Sequence, residues 1–165
     1  MNEPKVTTQL LPEKVTISFS IIEHKLLSFR LTGYSLENKN LVKFDGYEFQ
    51  LSLKLEVLEN EKIIKLTNHT LLFEKQSENV KQELAELRAS FKFLINNFDE
   101  LVKKLPNKVF EIRNPLLQIC YNIAASSVRG MYSAKLDNTI YNNAILPIID
   151  INRLVPEPNN IIRGI

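Results

Sequence analysis

The sequence predicts an α+β fold: a four-stranded antiparallel sheet with one main amphipathic helix, and short helices, packed on one face. Three observations carry this. Tyr47, Phe49, Leu51, Leu53, Leu55 and Val57 alternate with Glu48, Gln50, Ser52, Lys54 and Glu56, the period-two pattern of a half-buried strand. Three further stretches have strand character, separated by polar connections. From Asn114 the period changes, with apolar residues at Leu116, Leu117, Ile119, Cys120, Ile123, Ala124 and Val128, a helical stripe. Consecutive strands followed by a helix give an antiparallel sheet covered on one side.

In chain order, residues 1–14 read as a flexible N-terminus punctuated by Pro4 and Pro12. Val15, Ile17, Phe19 and Ile21 then share one strand face, and Leu27, Phe29 and Leu31 resume that parity after Glu23, His24 and Lys25. A bulge or bend at 23–25 is expected, or two short strands. Residues 47–57 form the second strand, Glu59-Asn60-Glu61-Lys62 a turn, and Ile63–Glu74 the return strand of a hairpin. Ser77–Glu83 reads as a polar loop or helical turn. Leu87, Ala89, Phe91, Phe93 and Ile95 mark a fourth strand, and Phe98–Lys104 a short helix capped by Asn97 and halted by Pro106. The main helix starts at Asn114 and Pro115, a good cap and first-turn residue. It either stops at Arg129, with Gly130 as a left-handed cap, or runs on through Met131 and Tyr132. One domain over 15–155, followed by a C-terminal tail at 156–165, accounts for the length.

Composition narrows the function classes. A net charge of +2 is too mild to imply nucleic acid. The single cysteine, Cys120, suits a reducing compartment. No secretory pattern opens the sequence and no apolar run approaches the ~20 residues that span a bilayer, so a cytoplasmic protein without membrane insertion is expected. His24 and His69 lack a neighbouring nucleophile–carboxylate arrangement, and the scattered glycines form no phosphate-cradling loop. No catalytic residue, metal site or cofactor is expected, and the chain is read as a non-enzyme.

The order of these pieces resembles the SecB family of export chaperones. The resemblance rests on Pro115, Arg129, Gly130, Leu146, Pro147, Ile148, Ile149 and Asn152, together with the preceding strands, and spans roughly residues 15–155. It implies a dimer of dimers with helices sandwiched between sheets, and an ATP-independent holdase for unfolded or nascent polypeptides. Its setting would be protein export or, as in a sub-class of the family, service as a dedicated chaperone for an antitoxin. The export members of that family are acidic and dock on the SecA motor. Here Glu48, Lys54, Glu56, Arg88 and Lys92 mix signs, so SecA binding is expected to be weak.

One helix is too narrow to cover a four-stranded sheet, and uncovered apolar surface calls for a second copy of the chain. Leu116, Ile119, Ile123 and Val128 are the candidate oligomer-interface residues. Leu146, Ile148, Ile149, Ile151 and Leu154 crowd beside Pro147. They either pack the edge of the core or line a groove for apolar stretches of client chains, which share hydrophobicity but no motif. Arg129 is read as completing a last helical turn against the helix dipole, with partner binding the other role open to it. The alternative to a chaperone is a structural or ligand-binding module that uses the same hydrophobic cavity for a small apolar molecule.

Overall fold

The structure, a computed structural model, describes residues 14–32, 46–77, 80–150 and 161–163. Four long strands form one antiparallel sheet: β1 (Phe19–Leu31), β2 (Tyr47–Leu58), β3 (Ile63–Ser77) and β4 (Val80–Ile95). Their spatial order is β1-β4-β3-β2, so β2, β3 and β4 make a meander and β1 adds to its far edge. Next come α1 (Phe98–Leu101), β5 (Val102–Leu105), β6 (Val109–Ile112) and the main helix, α2 (Asn114–Leu136). A second, three-stranded sheet has the order β5-β6-β7, where β7 is Ile161–Arg163. The segment expected as a C-terminal tail therefore supplies a strand, and Ile162 packs against the core. Among the described residues no helix is long and apolar enough to cross a membrane. The expected flexible start, except Lys14, lies outside the described residues.

The core lies between α2 and the two central strands. Ile64, Leu66 and Leu72 of β3 and Leu87, Phe91 and Phe93 of β4 are fully buried, facing Leu116, Leu117, Cys120, Ala124 and Val128 of the helix. Asn68 and Thr70 share the covered face and bond each other, Asn68 Nδ2 donating to Thr70 Oγ1 at 3.0 Å, which removes most of the cost of burying them. Tyr132 fastens the layers. Its hydroxyl lies 2.9 Å from the Thr70 carbonyl oxygen and 3.2 Å from that of Ala85. Its ring meets Phe29 and Phe49 edge-on, at centroid distances of 6.1 and 5.6 Å. One side chain thus touches all four strands of the sheet.

The helix takes the longer of the two courses the sequence allows. Gly130 sits exposed within it rather than capping it, and α2 ends at Leu136. Tyr132 and Leu136 extend the buried stripe two turns further, and that burial outweighs the cost of ~1 kcal/mol of a helical glycine. β4 begins at Val80, where a loop was expected, because Lys75 and Glu74 of β3 pair with Lys81 and Gln82. Polar residues are tolerated there since Lys81 meets Glu48 on the solvated side.

β1 is one continuous strand with two bulges. The register shifts between Ile21 and Glu23 and again between Leu26 and Ser28, leaving Ile22 and Leu27 as the unpaired extra residues. Each bulge flips the parity. Between them the even positions share the covered face, with His24 opposite and stacked on Phe91, and after the second Phe29 and Leu31 take it up again.

Candidate functional site

Beyond α2 the chain turns back along it. Thr139 N–H and Oγ1 both donate to the Leu136 carbonyl, and Ala144 N–H donates to that of Tyr141 at 2.8 Å. Tyr141, Ala144 and Leu146 are buried anchors, and Tyr141 meets Tyr47 edge-on. Ile145, Pro147 and Ile148 alternate with these anchors and point outward, Ile148 being 84% exposed. Residues 145–149 donate no backbone–backbone hydrogen bond within the described structure, and Pro147 has no N–H to donate.

A groove of about 220 Å³ lies between this return segment and the helix. Pro147, Ile148 and Ile149 form one wall, Asn122, Ser126 and Arg129 the other, with Ala125 between. The three polar residues follow helical spacing, so they form one stripe about 10 Å long. Of the five groove residues picked from sequence, Ile148 and Ile149 line this groove. Leu146 is buried beneath it in the core, and Ile151 and Leu154 lie outside the described residues. Of the interface candidates, Leu116 and Val128 are fully buried within the chain's own core. Ile119 and Ile123 remain partly exposed and continue the surface of the helix.

Arg129 sits seven residues before the end of α2, too far to serve the last carbonyls. Its guanidinium makes no hydrogen bond or ion pair among the described residues. The sequence singled out Arg129 without placing it in a groove. Asn122 and Ser126 were missed, since their part in the groove depends on where residues 147–149 return.

Apolar surface also remains at the margin of the sheet. Ile21, Ile22, Leu27 and Leu31 of β1 are between 42% and 50% exposed. The opposite, outer face of the sheet is charged and internally paired. Glu56 meets Lys54 and Lys65, and Glu48 meets Lys75 and Lys81. Glu86 accepts from Arg30, His69 and Arg88. Burial pulls the Glu86 carboxyl upward, but hydrogen bonding to and the charge of Arg88, with smaller help from His69 and Arg30, leave it below the ordinary glutamate value. The Lys54 hydrogen bond leads a similar lowering at Glu56.

A larger cleft of about 670 Å³ adjoins α1, β5 and β6. Its apolar floor is buried, and its rim charges are partly paired, Lys104 with Glu59 and Lys62 with Asp99. Cys120 is fully buried and its thiol is pushed up to about 12 by desolvation, which makes it inert. Among the described residues no three His, Cys, Asp or Glu side chains gather as metal ligands.

No family model matches the chain. The Gabija protein GajB of Bacillus cereus (strain HuB5-5) is similar to it at 32% identity over 114 residues, 66% of this chain but 16% of that protein. Among solved structures, the Mycobacterium tuberculosis Rv1957 SecB-like chaperone, in complex with a ChAD peptide from the Rv1956 HigA1 antitoxin, is similar at a TM-score of 0.48 and 9% identity. That alignment covers 80% of this chain and 88% of the other.

Proposed function

We propose that the chain is a SecB-like, ATP-independent holdase that binds extended apolar segments of non-native polypeptides. The observation that carries this reading is uncovered apolar surface in two places: Ile148 and Ile149 at the shallow groove beside the helix, and Ile21, Ile22 and Leu27 at the edge of the sheet. Such surface suits clients that share only hydrophobicity and backbone. The order of strands, helix and Leu146-Pro147-Ile148 segment that resembles the SecB family supports the same reading. Self-association, as a dimer or a dimer of dimers, covers the remaining apolar margin. The role is non-enzymatic and cytoplasmic, and a dedicated antitoxin is one client it would suit. Binding to the SecA motor is weak in this reading, because the outer-face carboxylates are already held by lysine and arginine. The interior between helix and sheet is filled by side chains such as Phe91, Tyr132 and Leu66, which favours a surface-bound chain over a small apolar molecule held inside.

The test is suppression of aggregation of a chemically denatured client without nucleotide. Replacing both Ile148 and Ile149 by Ser should weaken suppression severalfold while leaving circular dichroism and light-scattering mass unchanged. Lack of suppression by the unaltered protein, at severalfold excess over several clients, would rule the holdase out.

A further inference from the structure

We infer that the groove beside α2 selects apolar segments that carry an acidic side chain, with Arg129 as the residue that reads the carboxylate. This rests on the polypeptide-binding reading above and adds a charge preference to it.

A guanidinium is always charged and presents five donors in a planar fork that fits a carboxylate. Surface arginines on this protein are commonly engaged in that way: Arg30 with Glu83 and Glu86, and Arg88 with Glu86. Arg129 is exposed and has no such partner among the described residues, although it lines a groove whose facing wall, Pro147 to Ile149, offers it only apolar side chains. The side chains of Asn122 and Ser126, on the same stripe, also make no hydrogen bond among the described residues. The helix wall thus presents an amide, a hydroxyl and a guanidinium in a row about 10 Å long, enough for about three residues of an extended chain.

Each wall then has a separate task. Asn122 and Ser126 can exchange hydrogen bonds with any peptide backbone, so they add affinity without sequence preference. Ile148 and Ile149 accept an apolar side chain pointing the other way. Arg129, at one end, is the sole charge on the helix wall. A neutral occupant leaves it solvated and unused, a lysine in the same place is repelled, and an aspartate or glutamate gains a charge-assisted pair. The occupant is therefore an extended segment with aliphatic residues next to an Asp or Glu.

Three fluorescein-labelled peptides test this, alike in a Val-Ile-Leu core and differing at one flanking residue: Asp, Asn or Lys. Anisotropy titration of the whole chain should rank them Asp, Asn, Lys, with Asp about tenfold tighter than Asn at low salt, or about 1.4 kcal/mol. The Arg129→Gln variant should bring the Asp and Asn peptides to equal affinity, and Arg129→Glu should place the Lys peptide first. Both changes fall at an exposed helical position, and unchanged circular dichroism establishes that the variants fold. Equal binding of all three peptides by the unaltered chain overturns the charge preference while leaving the groove in place. Binding of none overturns the groove and the preference together.

Discussion

β1 and β3 are both long, both alternating and both hydrogen-bonded to β4, yet they end up in opposite circumstances. β3 is paired on both edges, and Ile64, Leu66 and Leu72 on its covered face have no exposure. β1 is paired on one edge, breaks register twice, and leaves four large apolar side chains in contact with solvent. The composition of the two strands does not explain this. A helix with its side chains is about 10–12 Å across, and strands lie about 4.8 Å apart, so one helix covers about two strands. α2 lies over β3 and β4, and the outer strands take what remains. The stable core and the surface available to a partner are thus set by the same geometric limit.

The sharpest way to break the comparison is a cavity under the helix. Phe91→Ala removes a fully buried ring that also supports His24 of β1, and should cost about 3–5 kcal/mol. A urea titration showing a loss under 1 kcal/mol would mean that the core does not lie where α2 meets β4.

Glu74 sharpens the contrast from the other side, because the covered face of β3 is not wholly apolar. Its side chain is 1% exposed and Oε1 has no hydrogen-bond partner among the described residues. Burial raises its carboxyl above the ordinary 4.5. A raised value favours folding when the group is protonated. That contribution is complete below the unfolded value and is lost as pH rises through the folded one. Glu74→Gln should therefore be more stable than the unaltered chain at pH 7, by about 1–3 kcal/mol, with the gap closing towards pH 4. Thermal melts across that range showing a constant gap would contradict it.

The smallest effect is expected at the margin. Replacing Ile22 and Leu27 together by Ser should change stability by no more than about 0.5 kcal/mol per site, since both are half-exposed bulge residues. The same change should reduce self-association, read as a lower light-scattering mass at micromolar concentration. An unchanged mass would count against the β1 margin as a self-contact.

What the sequence reveals follows from how far each signal reaches along the chain. The strict alternation of 47–57 predicted β2, and the apolar stripe from Leu116 predicted α2, because both are local periodicities. The helix end was ambiguous because Gly130 is a stop signal that Tyr132 overrides through bonds to Thr70 and Ala85, far away in sequence. The expected helix over Phe98–Lys104 stops at Leu101 and gives way to β5, and β6 and β7 went unseen, since strands of three or four residues hold too few positions to show a period. The site was half legible for the same reason. Ile148 and Ile149 stood out as apolar residues beside a proline, whereas Asn122 and Ser126 look like any solvated helical positions until the return segment is laid beside them.

The strand order also bears on how the molecule comes together. β2, β3 and β4 follow one another through short connections, so their pairing closes small loops and can form early. β1 reaches β4 across much more chain; the bond from Asn97 to Thr16 that helps seat it joins residues 81 apart. Loop closure of that length is entropically costlier and slower. The meander and helix can thus exist briefly with one edge of β4 open, a row of unsatisfied amides and carbonyls beside Phe91 and Phe93. An edge left open in that way has the features of an aggregation-prone strand until β1 covers it.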